Sequence, residues 1–368
     1  MLQRIVLDHF RNYEHQSLEF GEGVNALIGA NGQGKTNILE AIYYLSLLRS
    51  FRTTQLSNLL FAGTGQFTVY GEVKNDLGNI VRLGASHGIE RRLMLDGRPL
   101  HKTSEFISRL ICAPFLPEDL AIIKGPPGGR RRFLDIALCQ MSQPYLKALQ
   151  EFNDALHSRN TMLKTPGRYP KAVVTAYDQV LADRAAMLEI MRQELARRLN
   201  SAVARQSETF FPDGRKLAVN FVSGIGRLLE SPPEDPALVR EKYLQALDES
   251  YDRDCRQGTT NNGPQRSDLA CMLNGRSLAN YGSEGECRTA AIALRLALLE
   301  ILKEEHGEHE VTILVDDVLG ELDETRRGAF LAQVIAGGQV VFAGTELPKE
   351  FPQDTRVFIV ERGQAIPQ

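Results

Sequence analysis

The run Gly29-Ala30-Asn31-Gly32-Gln33-Gly34-Lys35-Thr36 fits the pattern G-x-x-x-x-G-K-[ST]. Its glycines let the backbone curl so that successive N–H groups face a phosphate at a helix N-terminus. In that arrangement Lys35 reaches the β- and γ-phosphates of a nucleoside triphosphate, and the Thr36 hydroxyl ligates Mg²⁺. The plain alternative is a glycine-rich turn before a helix. The neighbours favour the phosphate loop. Val24–Ile28 is an apolar run suited to a buried parallel strand, and Ile38, Ala41, Ile42, Leu45 and Leu48 follow at helical spacing.

The acids such a loop needs come only near the other end of the chain. Residues 311–315 form an apolar strand that runs into Asp316-Asp317. Asp316 would hold Mg²⁺, commonly through water, and Asp317 would polarise the attacking water. The site must then be assembled from both ends of the chain, with everything between them inserted. Just upstream, Tyr281-Gly282-Ser283-Glu284-Gly285-Glu286 opens a helix. Ser283 and Gly285 can offer a hydroxyl, backbone N–H groups and the helix dipole to an anion. Ser283 followed by Glu286 also matches a capping box. Its place before the acidic strand favours the phosphate role.

The elements that position these residues fall into three stretches. Residues 1–114 read mostly as strands around the single P-loop helix, with turn signals at Asn75–Gly78 and Asp96-Gly97. Residues 115–258 read as a mainly helical insert. It begins with a flexible basic turn at 124–132 and contains two long helices, 142–162 and 172–205, broken by Pro166, Gly167 and Pro170. These predict an antiparallel arm of about 30–50 Å at 1.5 Å per residue. A loop or linker is expected at 231–236. Residues 259–368 return to α/β texture, with a hairpin at Asn274-Gly275, a helix over 286–305 ended by Gly307, and a final strand at 356–360.

Composition narrows the function classes. The 368 residues are 43% hydrophobic, enough for a sizeable core. A formal net charge of −3 leaves nucleic-acid contacts to local patches. Candidates are Lys124 with Arg130-Arg131-Arg132, and Arg91, Arg92, Arg98, His101 and Lys102; each reads equally as a structural or solvated face. The five cysteines include no C-x-x-C pair, so buried thiols in a reducing cytoplasm are expected rather than zinc or disulfides. His306 and His309 lack the H-E-x-x-H spacing. No signal peptide is evident, and no apolar run approaches the roughly 20 residues that cross a bilayer. A soluble cytoplasmic protein with no membrane partner is expected.

The three nucleotide motifs together resemble ABC-type ATPase heads, and within them the bacterial RecF family, related to SMC and Rad50. Phe10-Arg11-Asn12-Tyr13, Pro117-Glu118-Asp119-Leu120, Gly125-Pro126-Pro127 with Arg131-Arg132-Phe133-Leu134-Asp135, and Gly263-Pro264-Gln265-Arg266-Ser267-Asp268 extend the likeness almost end to end. The resemblance implies an α/β head built from N- and C-terminal lobes around a mixed sheet, with the inserted helical arm. It implies a head-to-head homodimer with ATP and Mg²⁺ between two chains. Residues 29–36 of one chain would hold the nucleotide, with Ser283 and Gly285 of the other on its γ-phosphate. Glu321-Leu322-Asp323 stands at the D-loop, Thr345 in place of a switch histidine, and Glu118 near the Q-loop. Arg11 and Arg52 would help bind phosphate or DNA.

The same resemblance implies a weak DNA-dependent ATPase serving as a conformational switch. ATP-driven dimerisation would clamp gapped duplex or single/double-strand junctions in recombinational repair and replication restart. RecR and RecO would be partners in supporting RecA loading. Two departures stand out. The signature reads Ser-Glu-Gly-Glu where the family favours Ser-Arg-Gly-Gln; two acids near a γ-phosphate are unfavourable unless both point away, so either the trans contact is weaker or arginines nearby compensate. Gly-Pro-Gln-Arg-Ser-Asp replaces Gly-Pro-His-Arg-Asp-Asp. Three rivals fit less well. A transporter-type ATPase subunit would bring Ser-Gly-Gly-Gln and a switch histidine. An SMC- or Rad50-like structural head would need hundreds of heptad residues. A small-molecule kinase would keep its acids close to the loop.

Overall fold

The structure is a computed structural model that describes residues 1–75, 77–165, 167–225 and 235–368. Asp76 of the first expected turn, Pro166 of the arm breaker and 231–234 of the expected linker lie outside the described residues.

In chain order the N-terminal stretch forms β1 (Leu2–Phe10), β2 (Tyr13–Glu19), β3 (Val24–Ile28), α1 (Lys35–Leu47), β4 (Phe67–Lys74), β5 (Ile80–His87), β6 (Arg92–Leu95), β7 (Arg98–Leu100) and β8 (Ile111–Phe115). There follow α2 (Leu120–Lys124), α3 (Pro127–Met141), α4 (Gln143–Leu163), α5 (Lys171–Phe210), β9 (Leu217–Val222) and α6 (Pro236–Gln257). Then come β10 (Asp268–Leu273), β11 (Arg276–Ser277), α7 (Leu278–Tyr281) and α8 (Glu284–His306). The chain ends with β12 (Val311–Asp316), α9 (Glu324–Ile335), β13 (Val340–Gly344), β14 (Arg356–Glu361) and β15 (Gln364–Pro367). No helix among the described residues is long and apolar enough to cross a membrane.

These elements divide into two compact units, Met1–Asp119 with Ala291–Gln368, and Leu120–Ala290. The first unit holds two six-stranded sheets. One runs β2-β1-β4-β5-β6-β7 and is antiparallel throughout. The other runs β15-β14-β3-β13-β12-β8 and is parallel except at β15. In the second sheet β3 lies between β13 and β14, with Ala26 opposite both Phe342 and Val357. The two ends of the chain therefore close one sheet, in which β13 alone separates the P-loop strand β3 from the acidic strand β12.

The burial patterns follow from this layering. Strands β8, β12 and β13 are buried at every position, as parallel strands covered on both faces must be, whereas β4 alternates. Helix α1 packs against strands of both sheets and is buried around nearly its whole circumference. That is why its sequence is apolar on more than one face. The sequence reading ended the sheet at 360. The structure adds β15, a short edge strand reached through a turn in which Arg362 and Gly363 both have positive φ. Its four residues, one of them proline, are too few for a clear periodic signal.

The second unit contains α3 to α6 and the three-stranded sheet β11-β10-β9. The expected basic turn at 124–132 is corrected: most of it is helix. Pro127 starts α3, where its fixed φ suits a first helical position, and Gly128 and Gly129 are carried in the first turn. Helices α4 and α5 flank the expected breaker. With 40 residues α5 spans about 60 Å, longer than the expected arm, because no breaker interrupts it before Phe211-Pro212. Strand β10 pairs along its length with β9 (Cys271↔Val219), so residues 268–273 pack with the helical unit. The units accordingly divide after 119 and after 290, where the sequence reading divides after 114 and after 258.

Candidate functional site

The P-loop is shaped by what surrounds it. A Cβ at Gly29 would sit 2.2 Å from the Val360 carbonyl oxygen, so β14 leaves room only for glycine. Gly34 has φ +117, and a Cβ there would come within 2.6 Å of Asn12 Nδ2 and 2.8 Å of Tyr13 Oη. Those two side chains pin the loop: Asn12 Nδ2 donates to the Gln33 carbonyl at 3.1 Å, and Tyr13 Oη to the Gly34 carbonyl at 3.1 Å. Burial pushes the Tyr13 phenol pKa up, which keeps it a neutral donor. From the C-terminal turn, Arg362 N–H donates to Gln33 Oε1 at 2.8 Å.

The charged groups converge inside this frame. Lys35 Nζ donates to the carbonyls of Gly29 at 2.6 Å and Ala30 at 2.8 Å. Burial lowers its pKa, while the charges of Asp316 and Asp317 oppose that shift. Thr36 Oγ1 donates to Asp316 Oδ1 at 3.1 Å, joining residues 280 apart in sequence. Burial pushes the Asp316 carboxyl up to about 6; Glu118 and Asp317 add to this, and the Thr36 hydrogen bond and Arg52 oppose it. Asp317 takes a positive φ of 46° at the strand end. The cleft has a volume of about 560 Å³ and is also lined by Asn31, Gly32 and Thr345.

This donor set fits a hard divalent cation. A hydroxyl and a carboxylate oxygen 3.1 Å apart match the ~3 Å edge of an octahedron with ~2.1 Å bonds. Among the described residues no group of three or more His, Cys, Asp or Glu could hold a metal ion alone. Thr36 and Asp316 are thus suited to a cation that also takes phosphate oxygens.

Arg11, with φ 56°, lines the cleft and is braced by the fold. Its Nε and Nη2 donate to the fully buried Glu40 at 2.8 and 2.7 Å, and its Nη1 to the Asn58 carbonyl at 2.7 Å. Glu40 also accepts from Ser50 Oγ. Arg52 lines the same cleft and donates to Asn37 Oδ1 at 3.0 Å. Sequence reasoning gave no role to Asn12, Tyr13, Asn37 or Glu40. The Phe-Arg-Asn-Tyr run was the available signal, since it marks the turn that reaches the loop.

In the second unit the signature opens α8 with the capping box formed. Ser283 N–H and Oγ–H both donate to Glu286 Oε2 at 2.8 Å, and Glu286 N–H donates to Ser283 Oγ at 3.3 Å. Glycine is compelled at 282, where a Cβ would meet Cys287 Sγ at 2.6 Å, while open space surrounds Gly285. In the first unit Asp323 of the expected D-loop caps α9 through the Arg326 N–H at 2.9 Å.

In the basic cluster at 124–132, Arg130 is buried, Arg131 and Arg132 are half-buried and Lys124 is exposed, so the structural alternative holds at Arg130. Buried Arg130 grips Asp268 through Nε and Nη2 at 2.7 and 2.9 Å, and Arg131 donates to the Ser267 carbonyl at 2.8 Å. Arg92 and Lys102 are exposed but lie 3.6 and 4.0 Å from Glu90 and Glu105. Cys112, Cys139, Cys271 and Cys287 are buried free thiols, and Cys255 is half-buried.

A P-loop beside a strand-borne acid pair from the far end of the chain, on a mixed sheet, defines an ATPase head of the ABC type. Residues 1–341 match the family described as RecF/RecN/SMC N terminal domain. The DNA replication and repair protein RecF of Symbiobacterium thermophilum is 35% identical over 371 residues, covering 99% of this chain and 98% of that protein. RecF of Lacticaseibacillus casei is 36% identical over 374 residues, covering 98% of each. The solved structure of the recombination mediator protein RecF-ATP in the RecFOR pathway aligns with a TM-score of 0.91 at 31% identity, over 100% of this chain and 97% of that one. An SMC head bound to the C-winged helix domain of ScpA, at a TM-score of 0.55 and 17% identity over 100% and 96%, shares the fold alone. The chain belongs to the RecF family.

Proposed function

We propose that this RecF-family chain, an ATP-dependent DNA-repair protein, holds ATP on residues 29–36 and uses it to join two heads around DNA. The observation that carries the reading is the Thr36–Asp316 hydrogen bond, which unites the two ends of the chain at one cleft. Lys35 exchanges the carbonyls of Gly29 and Ala30 for phosphate oxygens, and Thr36 and Asp316 hold Mg²⁺. When bound, the cation neutralises phosphate charge. Asp317 orients the attacking water, and its short side chain suits slow hydrolysis. The related structure named RecF-ATP supports the choice of nucleotide.

Ser283 and Gly285 of a second copy complete the γ-phosphate contacts. Only the closed dimer has the whole site, so ATP favours that state. Closure clamps gapped duplex or single/double-strand junctions, and hydrolysis reopens it. In this role the protein acts with RecR and RecO in support of RecA loading, a reading supported by the RecFOR relatives. DNA contacts are mainly to phosphates and therefore salt-sensitive.

The test is retention of gapped duplex with and without ATP across a salt series. ATP should tighten binding, and rising salt should weaken it steeply. Affinity indifferent to both would sink the clamp reading.

A further inference from the structure

The acidic signature carries its own counter-charge. Ser283 gives its N–H and its hydroxyl proton to one oxygen of Glu286, Oε2. The other oxygen, Oε1, accepts from Arg215 Nη1. Arg215 is itself anchored: its Nε donates to Asp213 Oδ2 at 2.8 Å, and its guanidinium lies 5.4 Å from the centre of the buried Phe211 ring. Glu284, the other signature acid, pairs with Arg288 at 2.7 Å. Lys124 is engaged with the Gly282 carbonyl at 2.5 Å. The Ser283 hydrogen bonds, with help from Arg215, hold the Glu286 carboxyl below the usual carboxylate range, so it is ionised at neutral pH. A carboxylate there occupies both donors that a phosphate oxygen would use and repels that oxygen as well. A capping box accounts for the Ser283–Glu286 contact, and a glutamine would form it equally well. It does not account for an arginine braced by an acid and an aromatic ring against the far oxygen.

The geometry points to Arg215 as a positioning residue that draws the Glu286 carboxylate off Ser283, letting an acidic signature accept the γ-phosphate held by a second copy of this chain. This rests on the proposed role of Ser283 in that contact. With both carboxylate oxygens on the terminal nitrogens of Arg215, the Glu286 charge is partly offset, and the serine donors and helix N-terminus are freed for the phosphate. Without Arg215 the carboxylate stays on Ser283.

Sedimentation velocity of the full chain with Mg²⁺ and ATP tests this in wild type, Arg215→Ala, Glu286→Gln, the double variant and Ser283→Arg. Arg215→Ala should weaken ATP-dependent dimerisation about tenfold, while Glu286→Gln dimerises at least as tightly as wild type. The double variant should return to within about threefold of Glu286→Gln, a rescue that a merely structural arginine would not give. No effect of Arg215→Ala, or no rescue, overturns the inference while Ser283→Arg still reports on the underlying reading. If Ser283→Arg dimerises normally, the trans contact fails and the role of Arg215 fails with it. If circular dichroism shows Arg215→Ala unfolded, Glu286→Gln decides alone, and weaker dimerisation than wild type overturns the inference.

Discussion

The buried clusters of the helical unit and the phosphate-binding residues of the cleft treat charge in opposite ways. In the helical unit, Arg159 is fully buried and gives Nε to Asp178 at 2.7 Å and Nη1 to both Asp254 and Thr260 at 2.9 Å. Arg192 grips Asp135 through two nitrogens at 2.8 and 3.0 Å and also reaches Tyr145, Pro264 and Ser267. Cation and anion meet directly in both clusters. In the nucleotide cleft, Lys35 rests on neutral carbonyls, and Asp316 has a hydroxyl for a partner and a carboxyl pushed up to about 6. Charges that satisfy one another hold a fold, whereas charges kept apart in a cleft are available to an outside ligand. The family motifs divide along the same line. Arg-Arg-Phe-Leu-Asp and Gly-Pro-Gln-Arg-Ser-Asp supply the internal networks of the helical unit, and the P-loop and Asp-Asp strand supply the cleft.

The sharpest way to break this contrast is to remove one cation from each region. Arg159→Met leaves Asp178 and Asp254 buried without a counter-charge and should cost about 3–5 kcal/mol in chemical denaturation. A change under about 1 kcal/mol would mean that the cluster does not hold the arm together. Lys35→Met should do the reverse. Folding stability should shift by less than about 1 kcal/mol, since only carbonyl contacts are lost, while affinity for a fluorescent ATP analogue falls at least about 100-fold. Retained nucleotide affinity would contradict the placement of Lys35 on phosphate.

A smaller effect is expected at Glu189, a buried acid of the helical unit. Its Oε2 accepts from Ser223 Oγ at 2.7 Å, while its buried Oε1 has no hydrogen-bond partner among the described residues. Burial pushes its carboxyl up from 4.5 to about 7, against opposing help from Ser223, Arg192 and Gly224. A raised folded pKa gives stability that is full below about 4.5 and is lost as pH rises through about 7. Glu189→Gln should therefore match wild type in thermal melts at pH 4 and exceed it at pH 8. Parallel pH profiles would show that burial does not hold the proton there.

Much of this was legible in the sequence because its signals are local. The P-loop strand, its glycines and helix α1, the apolar run into Asp316-Asp317, the α4–α5 hairpin and the Asn274-Gly275 turn each declare themselves within about ten residues. What escaped depends on partners far along the chain. Arg130 reads as part of a flexible basic turn because Asp268 lies 138 residues away. The pairing of β9 with β10 gives no local sign, so the sequence reading divides after 258 where the compact units divide after 290. Arg215 shows nothing in sequence that marks Glu286, 71 residues on, as its partner. The capping box and a phosphate-binding serine use the same residues, so sequence alone could not separate them.

The central claim is that the nucleotide site is completed by two chains, and a mixing experiment tests it most directly. Lys35→Met lacks a working P-loop, and Ser283→Arg lacks a working signature. Each alone should stay monomeric with Mg²⁺ and ATP. Mixed, they can form one intact composite site, from the P-loop of one chain and the signature of the other. Sedimentation of the mixture with ATP should show a heterodimer. A mixture that remains monomeric, or a Ser283→Arg chain that dimerises unaided, would contradict the account.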